Sequence, residues 1–294
     1  MLHGFSIDLE EWYDPELLRR RGVPTTGQDR AAQSVAPLLA LLDRHGVRAT
    51  VFVVGRVAER DPELLRRIHA AGHEVGFHGM SHRPLWELEP ASFEAEIVAF
   101  RALIDRVLGP DVPVRGFRAP TFSLDERTRW ALPLLARHGY RYDASLVPAK
   151  GPLYGVAGAP LAPYRVNLER PELPDPGSPL IEWPATVVAL GKLRAPAGGG
   201  FYLRALPSPV LLGLLGLVAR TRPIVIYVHP WETDPGVQRV ELPAFSRFVT
   251  YYGVSAALGK VDALLRRFRF ASMWEALGAA GMVTEDVPAG EVRR

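Results

Sequence analysis

The sequence predicts an α/β fold, a parallel sheet wrapped by helices as either a barrel or a doubly wound sheet. Short β-branched runs alternate with helical periodicities over the first two-thirds of the chain. The helical stretches carry their own start and stop signals. Acids, histidines and an arginine stand at the C-terminal end of nearly every strand, the edge where parallel α/β folds place ligands and catalysis.

The elements follow in order. "LHGFSID" is a strand running into Asp8, and Ser34 to His45 has the apolar spacing of a helix that stops at Gly46. "ATVFVV", Ala49 to Val54, is the β-branched run of a buried strand. Asp61 and Pro62 open a helix with an N-cap acid and a proline at the first helical position, and Gly72 ends it. "HEVGF" is the next strand, Pro90 to Leu108 a helix, and "RGFRAP" the strand after it. "SLDE", Ser123 to Glu126, has the form of a capping box opening a helix that runs to His138 and Gly139. "YRYDAS" then reads as a strand.

Prolines and glycines crowd Val147 to Pro179, an irregular stretch whose length implies service to a site. "LIEWPAT", the Gly198-Gly199-Gly200 turn, an apolar helix and "IVIYVHPWE" restore the α/β pattern. Ser255 to Gly281 reads as two more helices. With no repeat and no linker composition, a single domain over 1–294 is expected. It comprises a core over 1–235, an irregular insertion at about 147–200 and a C-terminal helical extension at about 236–294.

Hydrophobic residues make up 48% and charged residues 23%, enough to bury a core without staples. The chain has no cysteine, so disulfides and thiolate metal sites are excluded. Any metal must sit on His, Asp or Glu, which suits zinc, cobalt, manganese or iron. The net charge is +3, and the basic clusters are short and not interleaved with stacking aromatics, so no nucleic-acid partner is expected. The longest apolar run, Pro209 to Ala219, is too short to span a bilayer. It reads as a helix packed on the barrel, with peripheral contact to the inner membrane as the alternative. No basic segment followed by an apolar one opens the chain, so a cytoplasmic protein is expected.

The chemistry collects at the strand ends. In "HGMSH", His78 and His82 offer two imidazoles four residues apart, close enough for one metal if the turn after the strand is helical. Asp8 and Glu10 alternate to the same side of an extended chain, whereas Glu11 points away. A His-His-carboxylate set with open positions is the arrangement of a catalytic metal, which supplies an activated water. Arg118 can hold a carboxylate ionised and aimed. His229 completes an acid–base pair, Asp8 taking a proton from water and His229 giving one to the leaving group.

"SIDLEEW", "GHEVGFHGMSH", "RGFRAPTFS", "YRYDAS" and "YVHPWE", in this order, resemble the polysaccharide deacetylases of carbohydrate esterase family 4. "IEWPAT", "GGGFYLRALP" and "HPWETDPGVQR" resemble the subgroup found with exosortase and exopolysaccharide-assembly systems. The resemblance implies a distorted (β/α) barrel of the NodB homology type and a divalent metal, usually zinc. It also implies hydrolysis of N-acetyl groups from the amino sugars of an oligo- or polysaccharide, releasing acetate. Carried onto this chain, His78, His82 and Glu10 are metal ligands, Asp8 is the base, Arg118 its partner and His229 the acid. Pro120, Gly198, Gly199, Gly200, Phe201 and Trp231 line the sugar groove.

Two departures stand out. The family commonly has adjacent aspartates where this chain has Asp8-Leu9-Glu10, so Asp8 and Glu10 could exchange roles. The family's Asp-x-x-Trp motif, which tunes the acid histidine, has no clean counterpart, and either Asp143 or Glu182 is the candidate for that task. The rival readings are a same-fold hydrolase of a small cyclic or linear amide, as in allantoinase-like relatives, and a non-catalytic carbohydrate-binding protein. The oligomeric state is left open by the sequence.

Overall fold

The computed structural model describes residues 1–22, 29–151, 154–191 and 193–283. Part of the expected C-terminal extension, 284–294, lies outside the described residues, as do 152, 153 and 192 of the insertion. The chain begins β1 (His3–Leu9), α1 (Glu16–Arg19), α2 (Ala31–Arg44), β2 (Thr50–Val53), α3 (Gly55–Arg60), α4 (Pro62–Ala70) and β3 (Glu74–Phe77). It continues α5 (Pro90–Leu108), β4 (Gly116–Phe117), α6 (Ala131–Arg137) and β5 (Tyr142–Asp143). The irregular stretch holds β6 (Tyr164–Arg165), β7 (Ile181–Glu182), β8 (Val187–Leu190) and β9 (Leu193–Pro196). Then come α7 (Gly200–Ala205), α8 (Ser208–Val218), β10 (Val225–Val228), α9 (Ala244–Tyr251), α10 (Val254–Arg267), β11 (Phe270–Ala271) and α11 (Met273–Ala279).

The sheet runs β10-β1-β2-β3-β4-β5-β7-β6, with β11 beside the start of β1. All pairs are parallel except β6 with β7. All seven residues of β1 and all four of β2 are buried. Such strands read as continuous apolar runs because both faces of a parallel sheet are covered. Phe77 on β3 packs against Phe93 and Phe100 of α5 and Phe117 of β4, joining helix layer to sheet.

The sheet curls into a distorted half-barrel, and the gap between β7 and β10 is bridged outside any strand ladder. Thr186 Oγ1 donates to Val225 O and accepts from Val225 N, each at 2.8 Å. Tyr227 N donates to Gly198 O at 3.0 Å, so the base of the β8–β9 hairpin spans the opening. Thr186→Val keeps the shape but strands the buried Val225 N–H. Chemical denaturation is expected to show a loss of about 1–3 kcal/mol.

Two expectations are corrected. The "SLDE" segment does not cap a helix: Ser123 Oγ accepts from Leu85 N at 2.9 Å, and Thr128 Oγ1 donates to Ser123 O at 2.7 Å. With that hydroxyl engaged across to another loop, residues 123–130 form turns and α6 starts only at Ala131. The C-terminal extension is not purely helical, since β11 pairs with His3 and Gly4 of β1 and so joins the sheet.

Candidate active site

Four strands of the one sheet, β10, β1, β3 and β4, aim chemistry at one point. Asp8 is the penultimate residue of β1, Glu10 stands just past that strand, His78 just past β3 and Arg118 just past β4. His229 follows β10, which pairs with β1 on its other side. All but His229 are almost fully buried.

Glu10, His78 and His82 present ligand atoms that lie within 4.8 Å of one another. His78 Nδ1 is 2.7 Å from Arg118 O, which fixes that nitrogen as the donor and leaves Nε2 its lone pair. Burial pulls the His78 pKa down to about 4, so its ring is neutral at pH 7, the form that binds metal. His82 Nε2 is 2.7 Å from Glu10 Oε2, yet neither buried ring nitrogen of His82 has a hydrogen-bond partner of sound geometry. Burial opposes charge on Glu10, but His229 and His82 outweigh it and hold its carboxyl down at about 2. Buried nitrogens without hydrogen bonds beside an ionised carboxylate fit a divalent cation.

The chain is shaped to hold this loop. Glu96 accepts from Met80 N at 2.8 Å and from Ser81 Oγ at 2.5 Å. Directly after them, His82 takes φ 57°, in the left-handed region that costs a non-glycine residue about 1–3 kcal/mol. Glu10 Oε1 accepts from Trp231 Nε1 at 3.0 Å, and the Trp231 ring stacks on His229 at 5.6 Å. Trp231 therefore orients Glu10 as well as lining the cleft. Glu11 does point away, accepting from Arg30 N and Ala31 N at the start of α2.

Asp8 Oδ1 accepts from Arg118 Nη1 at 2.6 Å. The guanidinium is locked by Ser6 Oγ, by Ala144 O and by the face of Phe52, 4.3 Å below it. Asp8 Oδ2 is left 3.7 Å from His229 Nε2, which is 3.8 Å from Glu10 Oε1.

The partner of His229 is the residue that sequence reasoning missed. Glu232 Oε2 is 2.8 Å from His229 Nδ1 and accepts from His229 N at 3.1 Å. Its other oxygen accepts from the buried Arg204 Nε at 3.0 Å. The i, i+3 spacing in "HPWE", read as one turn after the strand, was the available signal. Burial lowers the His229 pKa, but Glu10, Glu232 and Asp8 overcome it and lift it to about 9. Asp143 and Glu182 pair with each other in register between β5 and β7 instead. They serve their own loop, through Ser145 Oγ and Leu146 N.

A cavity of about 190 Å³ opens above these groups, walled by Leu17, Phe122, Tyr154, Phe201, Trp231 and Val249. Gly200 lines it, but its lack of a side chain admits Glu232: a Cβ there would stand 1.6 Å from Glu232 Oε2. Gly199 is absent from the lining and makes room for Tyr227, whose hydroxyl would lie 2.2 Å from an added Cβ. Pro120 is likewise absent from the lining and packs beside Gly79, under the metal-ligand loop.

Residues 22–142 match the polysaccharide deacetylase family. That match spans less than half of the chain. Residues 144–278 match a second family, described only as a domain of unknown function (DUF3473). A chitooligosaccharide deacetylase of Bradyrhizobium sp. is 43% identical over 84 residues, 28% of this chain and 37% of that protein. The chain thus matches well under half the length of that relative. Among solved structures, a Mycobacterium smegmatis protein assigned to the polysaccharide deacetylases has a TM-score of 0.59 at 20% identity, covering 99% of this chain and 96% of the other. An allantoinase also has a TM-score of 0.59, at 15% identity, covering 96% and 91%. These two likenesses show the fold.

Proposed function

We propose that the protein is a metal-dependent hydrolase that removes N-acetyl groups from amino sugars of an oligo- or polysaccharide. The observation that carries this is the meeting, in one buried cluster under a cleft, of the Glu10-His78-His82 donor set with Asp8 and His229. A divalent cation, zinc first, would be held by Glu10, His78 and His82, and supplies Lewis-acid polarisation of an amide carbonyl and a lower pKa for water. Asp8, held in place by Arg118, takes the proton of the attacking water. His229 donates its Nε2 proton to the departing nitrogen as the carbon–nitrogen bond breaks, leaving acetate and a free amine. Glu232 and Arg204 hold the imidazole with Nδ1 as the donor to Glu232, so that Nε2 faces the cleft. Phe201, Trp231 and Gly200 border the sugar.

The residues of this machinery come from both matched stretches and from β1 before them, so we treat the described chain as one catalytic unit. The resemblance of "IEWPAT", "GGGFYLRALP" and "HPWETDPGVQR" to the exopolysaccharide-assembly subgroup supports a substrate among bacterial exopolysaccharides or their precursors. Acetate release from N-acetylated oligosaccharides, set beside release of product from small cyclic amides, tests the reading. Turnover of the sugars alone supports it, and turnover confined to small amides overturns it.

The loop that positions His82 yields a further expectation. Glu96→Ala removes the acceptor for Met80 N and Ser81 Oγ. Chelator competition is expected to show metal affinity reduced by about 10–100-fold, with the fold intact by circular dichroism.

A further inference from the structure

The helix that walls the cleft leaves large rings in water. On α9, Ser246, Thr250 and Tyr251 are buried, while Phe245 is 75% and Phe248 46% exposed. Tyr252, directly after the helix, is 50% exposed. Two phenylalanine rings turned to water while two small hydroxyl side chains are buried is not what core packing selects. The exposed rings are not scattered. Phe201 lines the cleft, Phe248 lies 6.1 Å from it edge to face, and Tyr252 lies 4.8 Å beyond Phe248. The row is also registered to the chemistry. Arg204, whose Nε holds Glu232, donates Nη2 to Val249 O at 2.9 Å and Nη1 to Tyr252 O at 2.7 Å.

We propose that Phe201, Phe248 and Tyr252 form an aromatic track on which the sugar chain of the substrate stacks as it leaves the cleft. The inference rests on the deacetylase reading and names its substrate class, an oligosaccharide extending beyond the deacetylated unit rather than a single amino sugar. The occupant is set by where the row begins, inside the cleft, and by its make-up of flat rings, whose faces suit the axial C–H surfaces of pyranose rings. The ring spacings are of the order of one sugar residue, so successive units can meet successive rings. Binding energy from such remote units can be directed to holding the reacting unit in place.

The test measures binding apart from turnover. β-1,4-linked N-acetylglucosamine oligomers of two to six units are titrated calorimetrically into the metal-loaded Asp8→Asn protein, alone and combined with Phe248→Ala or Tyr252→Ala. Affinity is expected to rise with chain length. Each ring truncation is expected to weaken the longest oligomer about five- to tenfold and leave the dimer within twofold. Length-independent affinity, equal losses for all lengths, or no binding of any oligomer would overturn the proposal. So would sedimentation with phosphatidylglycerol–phosphatidylcholine vesicles that is lost in the ring variants, which would assign the rings to a lipid surface. Oligomer binding along the track without acetate release by the wild-type protein would keep the track and remove the deacetylase reading.

Discussion

His82→Ala is expected to reduce acetate release to background and to abolish tight binding of one divalent ion per chain. His82 is one of three donors within 4.8 Å, and its loss leaves only Glu10 and His78 of that group among the described residues. The change also leaves the buried Glu10 carboxylate without its 2.7 Å partner. A buried charge stripped of its partner costs on the order of 3–5 kcal/mol, so the metal-free variant is expected to lose stability as well. His82→Gly separates chemistry from backbone strain. Glycine accepts the φ of 57° without penalty, so the variant is expected to be no less stable than the alanine one and equally inactive. Thermal melts and metal content of both variants, run beside the acetate assay, check all three statements. Activity above a tenth of wild type in either variant would remove His82 from the ligand set.

His229→Ala is the second large effect, an expected loss of about 10²–10⁴ in kcat with metal binding retained. The pH dependence follows from its surroundings. Burial disfavours its charged form, but Glu10, Glu232 and Asp8 raise its pKa to about 9. A raised pKa keeps the proton on below that value, so His229 is in its acid form at neutral pH and activity falls as pH rises through the pKa. A cation held by Glu10 cancels part of the largest raising charge, which places the alkaline limb of the loaded protein below 9. Glu232→Gln removes another raising charge and is expected to shift that limb further toward neutral pH, with the acid limb unmoved. A kcat/KM profile from pH 5 to 10 reads the shift directly. An alkaline limb that stays where it was would separate Glu232 from the proton donor.

Much of the fold was legible because parallel strands buried on both faces must be short, apolar and β-branched, as Thr50–Val53 and Val225–Val228 are. Pro90–Leu108 was bounded by a proline and a glycine and is a helix over those same residues. What failed was a local rule with a distant competitor. Ser123 has the chemistry of an N-cap, but its oxygen answers Leu85 N, thirty-eight residues away in sequence. Bridging of the barrel by Thr186 and Gly198 was invisible for the same reason, since nothing in either residue announces a strand partner.

The site was legible where side-chain type and strand end coincide. Asp8, Glu10, His78, His82, Arg118 and His229 do meet. Their supporting groups were harder to place because support is a matter of distance, not spacing. Asp143 and Glu182 are acids at strand ends, yet the register of β5 with β7 turns them toward each other. Glu232 was in plain view in "HPWE", and only the bend after β10 shows that its carboxylate folds back onto His229. The glycine turn was assigned to sugar, while in the structure Gly200 makes room for Glu232 and Gly199 for Tyr227.

The central claim is that Glu10, His78 and His82 hold a cation without which Asp8 and His229 cannot deacetylate a sugar. The most direct measurement follows acetate release from an N-acetylated oligosaccharide by protein stripped of metal and then titrated with zinc, with bound zinc counted in the same samples. The account predicts that stripped protein is inactive and that release returns in proportion to zinc, saturating at one ion per chain. Undiminished release by the stripped protein, or one tightly bound zinc with no release from any N-acetylated oligosaccharide, would contradict it.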